Sequence, residues 1–358
     1  MASAEKVKEI VFPYLTHAGS RYGLKEEVQF PEDCIETLRS RPFNFSARSC
    51  NRWAQGRVII AGDAAHVFPP FGGQGIASGF RDASALAWRL ALLHREPDID
   101  HRALLKAWYT ERKQQFDSSL AVTIRNGELV TNANAVKAFA RDWMLWGMQL
   151  VPSLRRRIQS GGRGKMTRYK YLDGLPFAGE QGGGLMLPQV FAWDFREELV
   201  RFTDDLVFAA GKQGLFQLLV LVEKSEEVAD ALLEIEGIAS VSHGRVMEDE
   251  ATVLLHDFEA QLPAGNTSAV TVARIATGDE FAVDESLSRN RPAPEGYDAF
   301  KLRQEVGVAA KFVVVRPDRV VYAACASGAE LKKTLRRLDA DLHVERGVAD
   351  GDVVRSNL

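Results

Sequence analysis

One stretch, Gly56-Arg57-Val58-Ile59-Ile60-Ala61-Gly62-Asp63-Ala64-Ala65-His66-Val67-Phe68-Pro69-Pro70-Phe71-Gly72-Gly73-Gln74-Gly75, concentrates residue types suited to holding a flat ligand on which negative charge develops. Val58 to Ala61 form a short apolar run bounded by glycines, the pattern of a strand covered on both faces. Asp63 follows at its end, where a carboxylate can accept hydrogen bonds from sugar hydroxyls. Pro69 and Pro70 then fix the chain direction. Gly72, Gly73 and Gly75 let the backbone approach a ligand closely and present free N–H groups at a helix start, where the dipole favours negative charge. The same residues also read as a buried strand and a glycine-rich loop with no ligand. His66, beside a turn, reads as structural and is given no part in proton transfer.

The elements that must position this stretch follow from periodicity. Residues 5–14 have the pattern of a short helix. Residues 42–48 alternate like a strand, with Phe43, Phe45 and Ala47 on one side and Asn44, Ser46 and Arg48 on the other. A helix over residues 75–94 has Ile76, Phe80, Ala83, Ala87 and Leu90 as its buried stripe and is stopped by Glu96-Pro97. Asp98 or Asp100 caps the next helix, in which Leu104, Leu105, Trp108 and Tyr109 continue the apolar pattern and Glu111-Arg112-Lys113 faces water. A third helix over residues 135–149 places Val136, Phe139, Ala140, Trp143 and Met144 on one face, read as core in preference to a box of aromatics around a substrate. From residue 160 to 184 glycine and basic residues take over without a sustained period, which marks a boundary.

Beyond it the pattern is an apolar strand (215–222), a helix (226–235), two strands (312–316 and 320–324) about Pro317-Asp318-Arg319, and a closing helix (330–338). Strand, helix, hairpin and helix is the outline of a thioredoxin-like fold. Cys325 alone lies near the hairpin, so dithiol chemistry is not implied, and this part reads as structural or as an oligomer contact. Residues 259–294, polar and containing Pro, Gly and Ser, read as a surface excursion.

Composition narrows the class. Apolar residues make up 46% and charged residues 26%, ordinary values for a globular chain with a real core, and 358 residues suggest about two domains. A net charge of -3 gives no reason to expect nucleic acid, and Arg155-Arg156-Arg157 reads as a solvated helix end. Cys34, Cys50 and Cys325 are widely spaced, in no metal or C-x-x-C pattern, which fits a reducing compartment. The first ten residues lack an apolar signal core, and no run of 18 apolar residues offers a membrane span, so a cytoplasmic protein is expected.

Gly62 to His66, Pro69-Pro70, Gly73 to Gly75, Asp82-Ala83 and Leu86 to Trp88, taken together, resemble the second FAD fingerprint of the FAD-dependent aromatic monooxygenases, the phenol-hydroxylase-like family. Trp108 to Arg112 resembles that family's Tyr-x-x-Glu-Arg helix, Leu185 to Gln189 its approach to a C-terminal domain, and Val315-Arg316-Pro317-Asp318 a motif of that domain. The resemblance implies hydroxylation of a phenolic compound with FAD as cofactor and NAD(P)H as electron donor. It implies that Asp63 holds the ribityl chain, that Pro70 lies beside the flavin ring, and that backbone groups of Gly72, Gly73, Gln74, Gly75, Ile76 and Ala77 face its pyrimidine end. Ala77 and Ala85 stand where the family has asparagines. A halogenase or prenyl reductase shares the Gly-Asp motif, and the thioredoxin-like tail argues against both.

The family's N-terminal G-x-G-x-x-G turn for the ADP pyrophosphate is not found: Gly72 to Gly79, Gly161 to Gly164 and Gly182 to Gly184 all have the wrong spacing or context. The expectation is therefore an α/β chain in which residues 1–160 are the C-terminal part of a glutathione-reductase-like FAD-binding domain with a remnant of the substrate sheet, 161–189 a linker, and 190–358 a thioredoxin-like domain. Catalytic side chains are not identified, and no metal is expected. Two functions follow: a monooxygenase acting on an aromatic small molecule, incomplete alone and needing a complementary N-terminal half, or a flavoprotein remnant that binds a partner without turnover. A homodimer fits either.

Overall fold

The computed structural model describes residues 4–39, 44–159, 167–261, 270–284 and 296–342, and the chain falls into two units, residues 1–47 and 48–358. In the first, helix α1 (Ala4–Leu15) matches the predicted helix and leads into a short antiparallel ladder of β1 (Thr16–His17) and β2 (Val28–Gln29). Of the strand expected over 42–48, residues 42 and 43 lie outside the described residues and 44–47 join no ladder.

The second unit begins with β3 (Arg48–Ser49), β4 (Ala54–Gln55), β5 (Val58–Ile59) and β6 (His66–Val67); β3 pairs with β6, and β4 with β5 in a tight hairpin. The strand expected to be covered on both faces is thus corrected. Val58 is 69% exposed, because among the described residues β5 has one neighbour, and an apolar run is buried only where other elements cover it. Helices α2 (Gln74–Arg95) and α3 (His101–Val130) follow and pack together, the second capped by Asp100, whose Oδ1 accepts the Arg102 N–H at 2.9 Å. Next come α4 (Ala135–Gln149), capped by Asn134, and α5 (Pro152–Gln159).

A seven-stranded mixed sheet dominates the remainder. Its strands are β7 (Phe191–Asp194), β8 (Leu199–Phe202), β9 (Gln217–Val222), β10 (Thr252–Leu255), β11 (Thr271–Ile275), β12 (Phe312–Val315) and β13 (Val321–Cys325), in the order β13-β12-β9-β10-β11-β7-β8. β9, β10 and β11 run parallel, while β12 is antiparallel to both β9 and β13. Between and after the strands lie α6 (Thr203–Val207), α7 (Glu227–Ile235), α8 (Ile238–Val241), α9 (Gly278–Val283), α10 (Lys301–Val306) and α11 (Gly328–Leu342).

Both faces of the sheet are covered, which explains why β9 reads as a continuous apolar run. Leu218, Val220 and Val222 share one core with Val228 and Ile235 of α7, Leu331 and Leu335 of α11, and Trp88 and Leu92 of α2. Leu219 and Leu221 point the other way, into a core with Leu185, Leu187 and Leu302. β11 and α9 overturn the reading of 259–294 as a surface excursion. Thr271-Val272-Ala273-Arg274-Ile275 is a sheet strand, hidden in the composition by the polar residues on either side; 262–269 and 285–294 lie outside the described residues.

Candidate functional site

The turn after β5 is built around two glycines and one buried carboxylate. Gly62 has φ 57°, a left-handed conformation, and its Cα faces Gly79 of α2 so closely that a Cβ on Gly79 would stand 3.6 Å from it. The Gly62 N–H donates to Asp82 Oδ2 at 3.1 Å, and His66 Nε2 lies 2.7 Å from the same oxygen. Arg112 of α3 donates through Nε to Asp82 Oδ1 at 2.7 Å, and Trp108 Nε1 to the Asp82 carbonyl at 3.2 Å. Burial pushes the Asp82 carboxyl up, but the His66 hydrogen bond, the Arg112 charge and hydrogen bond and the Gly62 N–H outweigh it and hold the group below the ordinary carboxylate value. An ionised carboxylate only accepts, so His66 donates from Nε2. Its ring lies 4.9 Å from the rings of both Trp53 and Phe116, between centroids, in a small core. His66 is therefore a strut of the turn, as its sequence position suggested.

Pro70 to Gly75 forms the second half of the site. The Pro70 carbonyl accepts from the N–H groups of Gly72 and Gly73 at 2.8 and 3.2 Å, and Asn126 of α3 donates to the Phe71 carbonyl at 3.1 Å. The Phe71 ring lies against Gly127, where a Cβ would come within 2.7 Å of it. Gly73, at φ 60°, is the N-cap of α2 and offers no side chain to the helix's first N–H groups. A Cβ on Gly73 or Gly75 would meet nothing within 4 Å, so the backbone here borders open space. Asp63, Pro70, Gly72, Gly73 and Ile76 are exposed, and Gln74, Gly75 and Ala77 half-buried. All eight lie on the one turn and helix start that Asp82 and α3 hold in place.

Three expectations about the flanking helices are corrected. The stripe Ile76, Phe80, Ala83, Ala87 and Leu90 is exposed, Ile76 at 79% and Phe80 at 73%; α2 buries Ser78, Asp82, Ala85, Trp88, Arg89 and Leu92 instead. Its inward face carries charges because α3 and the sheet supply their partners. Glu111 and Arg112 do not face water but are fully buried, continuing the three- and four-residue spacing of Leu104, Leu105 and Trp108. The stripe on α4 is not core: Val136, Phe139, Trp143 and Met144 are exposed, and α4 has no buried residue.

Glu111 belongs to a second buried cluster. Arg316 donates from Nη1 to Glu111 Oε1 at 2.7 Å and from Nη2 to Oε2 at 2.8 Å, and Arg89 donates to Glu111 Oε2 at 2.8 Å. Asp318 accepts from Arg316 Nε at 2.9 Å and Nη2 at 2.6 Å, and from Trp88 Nε1 at 3.0 Å. Two guanidinium groups thus balance two carboxylates. Burial raises the carboxyls, but Arg316 and Arg89 outweigh it, holding Glu111 and Asp318 below the ordinary range. Arg89, Glu111, Arg112 and Arg316 received no role from the sequence. The available signal was the place of Glu111 and Arg112 on an apolar helix face, and of Glu111, Arg112 and Arg316 in two motifs of one resembled family, and the structure brings those two motifs together.

The fold and this site define an α/β chain with a glycine-rich turn leading into a helix start. Residues 16–120 match the family described as FAD binding domain. Curated relatives make the resemblance to aromatic hydroxylases specific: the chain is 32% identical over 189 residues to a 3-(3-hydroxy-phenyl)propionate/3-hydroxycinnamic acid hydroxylase of Mycolicibacterium vanbaalenii, covering 51% of this chain and 32% of that protein. It is 34% identical over 124 residues to the protein of the same description from Escherichia coli O139:H28, covering 35% of this chain and 22% of the relative. These matches span about a third or less of the relatives' length. The solved flavin-dependent monooxygenase PieE, in complex with FAD and substrate, is similar at 18% identity and a TM-score of 0.49, covering 84% of this chain and 50% of that chain. Among the described residues no helix is long and apolar enough to cross a membrane, and no cluster of His, Cys, Asp or Glu could hold a metal ion.

Proposed function

We propose that the chain holds the isoalloxazine and ribityl part of FAD and serves an NAD(P)H-using monooxygenase that hydroxylates a phenolic compound. The observation that carries this reading is the open glycine backbone at Gly73 and Gly75, placed between an exposed Asp63 and the uncapped start of a 22-residue helix, within the segment matching the FAD-binding family. In this reading Asp63 accepts from ribityl hydroxyls, Pro70 lies beside the ring, and the backbone of Gly72, Gly73, Gln74, Gly75, Ile76 and Ala77 faces its pyrimidine end, with the N–H groups of the helix's first turn as the donors. The helix dipole favours the negative charge that the ring carries when reduced. When bound, FAD supplies the redox chemistry, accepting hydride from NAD(P)H and activating dioxygen for transfer to the substrate ring. The chain's own share is to bind, to orient and to keep the turn rigid through Asp82.

A phenolic substrate is favoured by the relatives, which are hydroxylases of 3-(3-hydroxy-phenyl)propionate and 3-hydroxycinnamic acid. The grip on the ADP part is assigned to a complementary polypeptide, which would cover exposed apolar residues such as Val58, Ile76 and Phe80. The boundaries at 160 and 190, a thioredoxin-like C-terminal domain, a homodimer and a cytoplasmic location belong to the same reading. Support for the thioredoxin-like topology comes from the order β13-β12-β9-β10, with β12 antiparallel to its neighbours and α7 and α11 against one face.

The test is the visible spectrum of the chain after incubation with FAD and gel filtration. A retained flavin band that is lost in Asp63→Ala supports the reading; a colourless protein, with and without the relatives' N-terminal half supplied in trans, sinks it.

A further inference from the structure

Two buried charge clusters lie on α2 and α3, and none of their members is among the residues proposed to hold the flavin. One holds the turn: Asp82 with Gly62, His66 and Arg112. The other ties α2 and α3 to the β12–β13 hairpin of the sheet: Arg316 and Asp318 with Glu111, Arg89 and Trp88. The clusters meet twice. Glu111 and Arg112 are consecutive residues of α3, one in each cluster, and Asp82, Trp88 and Arg89 share α2.

We infer that the Arg316–Asp318 hairpin is a positioning element for the turn that carries Asp63, acting through Glu111-Arg112 and Asp82. Its functional consequence rests on the flavin reading above; the mechanical coupling does not. A buried charge that loses a partner must gain water or move, and here neither side has room to relax alone. Arg316 grips both oxygens of Glu111 with two parallel hydrogen bonds, which fix the carboxylate in direction as well as distance. Any rotation of α3 that relieves Glu111 carries the next residue with it, and Arg112 Nε is the donor to Asp82 Oδ1. The other Asp82 oxygen holds the Gly62 N–H and His66, one on each side of Asp63. Trp88 gives a parallel route, since its indole N–H reaches Asp318 from the helix whose first turn forms the proposed pyrimidine end of the site. The Trp88 ring also lies under the guanidinium groups of Arg89 and Arg316, at 4.4 and 5.2 Å from its centroid, so the hairpin, α2 and α3 converge on one side chain.

The experiment compares amide hydrogen exchange over residues 60–68 and FAD affinity in the full chain, in Asp318→Asn, in Asp82→Asn and in the double variant, with Asp63→Ala as the control for the flavin contact. Asp318→Asn is expected to speed exchange at the Gly62 turn and to weaken FAD binding by about tenfold each, with far-UV circular dichroism unchanged. Asp82→Asn should do at least as much, and the double variant no more than Asp82→Asn alone, because both act on one chain of contacts. A hairpin with a merely structural role would loosen residues 312–321 and leave exchange at 60–68 as in the parent, and that result overturns the inference, as does strict additivity in the double variant. Where Asp318→Asn does not fold, Arg316→Lys, which keeps the charge and loses the two-pronged grip, carries the same test. A parent chain that binds no FAD speaks against the flavin reading only, and the exchange comparison still decides the coupling.

Discussion

Glu111 of α3 and Arg316 at the end of β12, 205 positions apart in the chain, meet through two hydrogen bonds, 2.7 and 2.8 Å long, with both side chains fully withdrawn from water. Such a pair contributes little against an apolar replacement of both partners, yet removing one leaves the other charged and unsatisfied. Glu111→Ala is expected to destabilise the second unit by about 3–5 kcal/mol. Urea denaturation followed by circular dichroism measures it, and a loss under about 1 kcal/mol would contradict the pairing described.

Acid should act on the same clusters. Burial raises Asp82, Glu111 and Asp318, but hydrogen bonds and neighbouring arginines outweigh it, so their folded values lie below the ordinary carboxylate value. A depressed value means stability that is complete above the unfolded value of about 4 and is lost as pH falls through the folded ones. His256 behaves differently: burial, then the Arg303 charge, lowers it to about 4. The unfolded chain takes up that proton near pH 6.5, so stability declines from about pH 6.5 down to about 4. Urea midpoints measured from pH 7 to 3 should show both steps. His256→Phe should abolish the upper one and leave the lower, and an unchanged profile would refute the assignment.

Gly127 offers a test of the loop that is independent of charge. Alanine there places a Cβ 2.7 Å from the Phe71 ring. Helix propensity gains up to about 1 kcal/mol, while overpacking costs about 1–3 kcal/mol. Gly127→Ala should therefore lower stability only slightly, yet shift the Pro70–Gly73 loop and reduce flavin retention. Adding Phe71→Leu should restore the retention; failure of that rescue would show that the loop is not seated on Gly127.

The exposed face of α4 predicts a dissociation of stability from solubility. Phe139 and Trp143 are 64% and 56% exposed, so replacing both with serine should change stability by no more than about 0.5 kcal/mol for each residue. Self-association of the isolated chain, read by light scattering against concentration, should fall. A large loss of stability would mean that α4 is packed after all.

Much of the local structure was legible because it is written in short-range chemistry. The limits of α4, a cap at Asp98 or Asp100, the strand that became β9 and the hairpin about Pro317-Asp318-Arg319 follow from periodicity and from cap and turn residues, and the structure selects Asp100. The eight candidate site residues share one stretch of sequence, so any fold that kept the turn would keep them together.

Burial was decided elsewhere. Periodicity places Ile76 and Phe80 on one face of α2 and Asp82 and Arg89 on another, but it cannot say which face will meet a neighbour. In the folded chain the charged face is inside, because Arg112, Glu111 and Asp318 are there to satisfy it at less cost than leaving charges unpaired. The sequence by itself determined the turn, its glycines and the elements around it. Only the tertiary structure decided that a buried carboxylate, Asp82, paired with Arg112 30 positions further on, ties that turn to both helices.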